Sequence, residues 1–96
     1  MEDIKNYQML IDGDWVDASN GGVFDSVNPN TDNVWSRVPE ATEADVNRAV
    51  SSAHKAFNEG PWSKFTPTER GKCLRKLGDL LADNSESLGR IETIDT

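Results

Sequence analysis

The chain has 96 residues, 35% of them hydrophobic and 28% charged, which suits one small globular domain better than a disordered segment. Its net charge of −7 argues against nucleic acid and anionic membranes, since both select patches of Lys and Arg. No run approaches the ~18 apolar residues of a membrane span, and one cysteine cannot form an internal disulfide, which fits a reducing, cytoplasmic setting.

The first residues, MEDIKNYQ, are polar and acidic, unlike a secretory signal. Residues 7–39 then read as β. In YQMLIDGDWV two short apolar runs flank Asp12-Gly13, a strong signal for a tight hairpin, so strands are expected near 8–11 and 14–17. Two more are expected near 23–27 and 33–38, with the turn-rich NPNTD between them. Val34, Ser36 and Val38 alternate with Trp35 and Arg37, which gives the last strand two unlike faces. Pro39 lacks an N–H and is expected to end its pairing.

Residues 42–95 read as three helices, near 43–58, 67–83 and 85–95. Thr42 is placed to cap the first, with Asp45 where a capping box takes an acid. Val46, Ala49, Val50, Ala53 and Phe57 then share one helical face, and Asn58 and Gly60 end it. Thr66, Pro67 and Glu69 start the second helix by the same logic. Its apolar stripe is Cys73, Leu74, Leu77, Leu80 and Leu81. Asn84 or Ser85 caps the third, whose face is Leu88, Ile91 and the edge residue Ile94.

Side chains with catalytic potential are sparse. Cys73 lies inside a leucine stripe with no base in view, and buried packing is the reading that fits a free cysteine there. His54 has no second histidine or cysteine with which to bind a metal. Asn20-Gly21-Gly22 matches no phosphate-binding loop and reads as a turn. Trp15, Trp35 and Trp62 are dispersed, as packing anchors are.

Three placements ask for more. Arg70 falls in the middle of the second helix's apolar arc, and a buried guanidinium needs a partner. Glu92 and Asp95 project from the Leu88/Ile91 face of the third helix. Arg70 either pairs with Glu92 across the two helices or snorkels to solvent. Gly71 and Gly78 share one side of the second helix, so either another element approaches closely there or glycine is merely tolerated. The final stretch, GRIETIDT, carries a helical stripe to Thr96 with no glycine or proline behind it, and the residues alone leave open whether the protein ends there or a longer one was cut.

The ordered set LIDGDWVDA, FDSVNPNTDNVWSRVPEATEADVNRAVSSAHKAF, PWSKFTPTERGKCLRKLGDLL and IETIDT resembles the N-terminal segment of an NAD(P)-dependent aldehyde dehydrogenase, over about residues 7–96. The resemblance implies an α+β fragment, two β-hairpin-like segments followed by three helices, taken from an α/β enzyme with a Rossmann-like cofactor domain. Residues 1–96 would be the N-terminal part of that domain, and the catalytic and oligomerisation domains would lie outside this chain. The parent would oxidise an aldehyde with NAD or NADP, through a cysteine nucleophile, a glutamate base and an asparagine oxyanion donor. None of these, and no cofactor-contacting residue, falls in the matched region, so the chain alone is expected to be inactive and to bind no cofactor. Its expected partner is the remainder of the dehydrogenase chain, in a homodimer or homotetramer. The family also implies a Na+ or K+ ion held by main-chain oxygens at positions that match Ser26, Val27 and Asp95. Without that ion, Ser26 and Val27 are ordinary strand residues and Asp95 a solvated helix-end acid. The competing view of the whole chain is a self-contained acidic α+β interaction module.

Overall fold

Asp12-Gly13 turns the chain as its residue types demand. Both have positive φ, 53° and 81°, the left-handed pair that a two-residue hairpin loop requires. The computed structural model, which describes residues 3–96, places β2 (Met9–Ile11) antiparallel to β3 (Asp14–Val16) across this turn. Ile11 is one of two buried hydrophobic residues among those described, the other being Ala18.

β4 (Val23–Val27) and β5 (Val34–Pro39) form the second hairpin. Their connection is tied by Asn28, whose N–H donates to the Asn33 carbonyl at 2.8 Å and whose side chain accepts from the Asn30 N–H at 2.9 Å. Two features differ from the sequence expectation. β1 (Lys5–Asn6) adds a parallel edge strand to β5, giving the sheet order β1-β5-β4. Pro39 does not end the pairing: it lies opposite Val23, and the next N–H, that of Glu40, reaches the Gly22 carbonyl at 2.9 Å. The Pro39 nitrogen therefore points away from β4, toward the side where β1 has already ended, and no ladder bond is lost.

The helices start and stop where their signals stand: α1 (Glu43–Glu59), α2 (Pro67–Asp83) and α3 (Ser85–Asp95). At α1 the capping box is complete, with the Asp45 N–H donating to Thr42 Oγ1 at 3.2 Å and the Thr42 N–H donating to Asp45 Oδ2 at 2.9 Å. At α2 only half a box forms. The Glu69 N–H reaches Thr66 Oγ1, but the Glu69 carboxylate takes the Thr66 hydroxyl instead of the backbone N–H. Asn84 precedes α3 without a side-chain cap bond and spends its amide on the Leu80 carbonyl at the end of α2, at 2.8 Å. A single 3₁₀ turn, Pro61–Lys64, links α1 to α2 and was not foreseen. Gly60 before it has no room for a side chain, because a Cβ would collide with the Ala56 carbonyl. Around Gly71 and Gly78 nothing lies within 4 Å of an added Cβ, so no element of this chain approaches them.

α1 packs over the first hairpin, where Ser52 Oγ donates to Asp12 Oδ1 at 3.3 Å. The remaining helical faces stay uncovered: Val50, Leu74, Leu77, Leu80 and Leu81 are all more than half exposed. Cys73, expected inside this stripe, is exposed with it.

Candidate functional site

At the end of α3, sheet and helix bring several polar side chains together. The register of β4 and β5 slips between Ser26 and Val27: Ser26 faces Ser36 while Val27 faces Val34, which leaves Trp35 as the residue in excess. Such a bulge re-aims its side chains. Trp35 Nε1 donates to Asp95 Oδ1 at 3.1 Å, and Ser26 Oγ donates to the same oxygen. Tyr7 stands edge-on to the Trp35 ring, with centroids 6.0 Å apart. These residues, with Phe24, Ser36, Val38 and Ile91, line a groove of about 350 Å³.

Ser26 and Asp95, two of the residues matched to cation ligands, are thus brought into direct contact through their side chains, with Val27 beside them at the bulge. The donor chemistry suits a hard cation. Carbonyl and carboxylate oxygens, of the kind that Ser26, Val27 and Asp95 offer, are the ligands that Na+ and K+ take. Among the described residues no group of three or more His, Cys, Asp or Glu side chains is placed to hold a metal ion.

The Arg70–Glu92 pair does not form. The Arg70 Nε–H donates to the Trp62 carbonyl at 3.3 Å and the guanidinium sits over the Trp62 ring, 5.8 Å from its centroid. The 3₁₀ turn supplies both partners, eight residues back, and Arg70 needs no acid from α3. His54 is likewise satisfied locally, 3.0 Å from the Asn58 amide.

Two residues with clear structural consequence had not been singled out for them. Ser36 is 1% exposed, and its Oγ has no hydrogen-bond partner among the described residues. A serine between two inward valines was the available signal. Asp45 does more than close a capping box. It is wholly buried, and it accepts from the Ser19 N–H at 3.0 Å and from Arg48 at 2.5 Å. The Thr42 N–H first, then the Ser19 N–H, hold its carboxyl far below the usual carboxylate range; burial opposes this, while Arg48 and the Thr42 hydroxyl reinforce it.

The model of the aldehyde dehydrogenase family matches residues 15–96. An aldehyde dehydrogenase of Alternaria alternata is 47% identical over 87 residues, which cover 91% of this chain and 17% of the relative. A (Z)-2-((N-methylformamido)methylene)-5-hydroxybutyrolactone dehydrogenase of Acinetobacter baylyi is 41% identical over 97% of this chain and 19% of its own. Among solved structures, the NAD-dependent aldehyde dehydrogenase of Sinorhizobium meliloti superposes with a TM-score of 0.90 at 40% identity, over 95% of this chain and 18% of that one. The NAD+ complex of a Bacillus cereus aldehyde dehydrogenase gives 0.90 at 38%, with the same coverage. The chain spans less than a fifth of the length of each of these relatives.

Proposed function

Because the chain belongs to the aldehyde dehydrogenase family, we propose that it forms the N-terminal part of an enzyme that oxidises an aldehyde to a carboxylic acid with NAD or NADP. The observation that carries this is the match of nearly the whole chain, at 38–40% identity, to NAD-dependent and NAD+-bound relatives. The oxidised cofactor, when bound, would accept hydride from the substrate carbon. This chain's residues would take no chemical part in that. Its cysteine is an exposed helix residue, with no histidine or carboxylate hydrogen-bonded to it among the described residues. Their part would be architectural: β4, β5 and α3 present the groove, and α1 and α2 present apolar faces, to the rest of the polypeptide and its cofactor domain. The parent would assemble as a homodimer or homotetramer. Apolar faces left this open call for cover from outside the chain, which favours a part of a larger enzyme over a self-contained module.

The proposal includes a Na+ or K+ ion on the main-chain oxygens of Ser26, Val27 and Asp95, with further ligands from outside this chain. The contact of Ser26 with Asp95 supports it by holding the two segments together. An anomalous-scattering map of the complete enzyme soaked in Rb+ or Tl+ should show a peak beside the Val27 and Asp95 carbonyls, and Ser26→Ala should leave it in place.

The reaction itself is tested by following NAD(P)H formation with a panel of aldehydes, for the chain and for the complete protein. Turnover is expected from the complete protein alone. Turnover by the chain that Cys73→Ala abolishes would overturn the architectural role, and a complete protein reducing neither cofactor would overturn the family chemistry.

A further inference from the structure

Asn20 is exposed and is followed by Gly21, whose φ of 74° suits glycine and whose missing Cβ leaves the backbone nitrogen unshielded. The Asn20 side chain is folded forward along the chain, and its Oδ1 accepts the Gly22 N–H at 2.8 Å. That bond draws electron density from the carboxamide carbon. The other asparagines followed by a described residue lack this combination. Asn28 precedes a proline, which has no N–H, Asn47 and Asn58 lie inside α1, and the residues after Asn6, Asn30, Asn33 and Asn84 all carry a Cβ beside the attacking nitrogen. We propose that Asn20-Gly21 is a site of spontaneous deamidation, and that its conversion releases the N-terminus of α1.

The step needs only water. The Gly21 backbone nitrogen gives its proton to solvent and forms a bond to the Asn20 side-chain carbonyl carbon. The carboxamide C–N bond breaks, and its nitrogen leaves as ammonia with a proton from solvent. Water then opens the five-membered imide at either carbonyl, giving aspartate or isoaspartate. The Gly21 N–H donates to the Ala18 carbonyl at 2.8 Å, so the reaction runs through the opened turn. A single exposed turn bond opens far faster than the chemistry proceeds.

The consequence follows from the neighbour. The Ser19 N–H holds both oxygens of Asp45, at 3.0 and 3.3 Å, and Ser19 Oγ lies 2.8 Å from Thr42 Oγ1. Isoaspartate lengthens the main chain by one carbon just beyond Ser19. Either product also places a new carboxylate one residue from a group already bound to a buried carboxylate. The clasp between this loop and α1 loosens.

The test ages the intact protein at mildly alkaline pH, in parallel with its Asn20→Gln variant and with a denatured sample. Peptide mass spectrometry and an isoaspartyl methyl-acceptor assay read residue 20, and hydrogen exchange reads the amides of Ser19, Thr42 and Asp45. The expected result is acid at residue 20 in the folded protein, with faster exchange at those three amides, and neither change in Asn20→Gln. An amide that survives in the folded protein while the denatured sample converts overturns the site. Conversion with unchanged exchange overturns the coupling to α1.

Discussion

Asp45 gathers the N–H groups of Thr42 and Ser19 and the guanidinium of Arg48 around one carboxylate that has no exposed surface. All of them favour the charged form, so the folded carboxyl ionises far more readily than it does in the unfolded chain. The sign is that of a depressed acid. Its stabilisation is fully present above the unfolded value, near ~3.9, and is lost as pH falls from there toward the folded one. Hydrogen-exchange protection at the start of α1 should therefore drop on acidification below that value, and Asp45→Asn should remove that part of the slope while lowering protection at neutral pH. Thr42→Ala takes away the cap's hydroxyl and should cost about 1 kcal/mol of the same protection, without changing the acid slope as much. Half of this arrangement was legible, because Thr42 and Asp45 are three apart and the box is a local pattern. The Ser19 link was not. It joins residues 26 apart, and nothing in an exposed-looking serine reports which carboxylate its backbone will meet.

At the scale of elements, α1 and α2 were legible because each carries two independent signals, an apolar period and a cap, while α3 was legible from its period, since Asn84 makes no side-chain cap bond. The strands that alternate or flank Asp-Gly were legible for the same reason. β1 was not, since two polar residues have no period, and its parallel pairing with β5 closes a loop of some thirty residues. Arg70 failed differently. The wheel set it within the apolar arc, but a 3₁₀ turn that no periodicity reveals supplied a carbonyl and an indole before α3 could offer an acid. The α2 stripe now sets a prediction. Leu77 is 53% exposed, so Leu77→Ala in this chain alone should change the hydrogen-exchange protection of α2 by no more than ~0.5 kcal/mol. In the complete protein, if the proposed architecture covers that face, it should cost about 2–5 kcal/mol. Hydrogen exchange in both forms makes the comparison, and equal small effects would mean that α2 is never buried.

The whole molecule is too open for its mass. Its radius of gyration is 17.0 Å, where a compact domain of this length has about 12.5 Å. Its extents of 49 × 34 × 17 Å describe a slab. It exposes 7790 Å² of surface, about 2,300 Å² more than a folded monomer of its mass. Such an excess falls in the range buried by obligate interfaces. The site tells the same story on a smaller scale: Ser26 and Asp95 meet, yet the buried Ser36 Oγ beside their groove has no hydrogen-bond partner among the described residues, at a cost of about 1–3 kcal/mol until a partner reaches it. The sequence could show which faces were apolar but not that they would remain bare, because amphipathic periodicity says which side of a helix wants cover and is silent on what provides it. With so little apolar surface buried against the entropy of ordering the chain, the isolated polypeptide should not unfold as one cooperative unit. Analytical ultracentrifugation should find concentration-dependent self-association, and a hydrophobic dye should fluoresce in its presence at neutral pH. Heating should give a broad transition that narrows once the remainder of the polypeptide is present. The decisive comparison is calorimetric. A monodisperse monomer whose calorimetric and van't Hoff enthalpies agree would show that ~90 residues of β-hairpins and helices can stand with their apolar faces in water, and the architectural role drawn from those faces would fall with it.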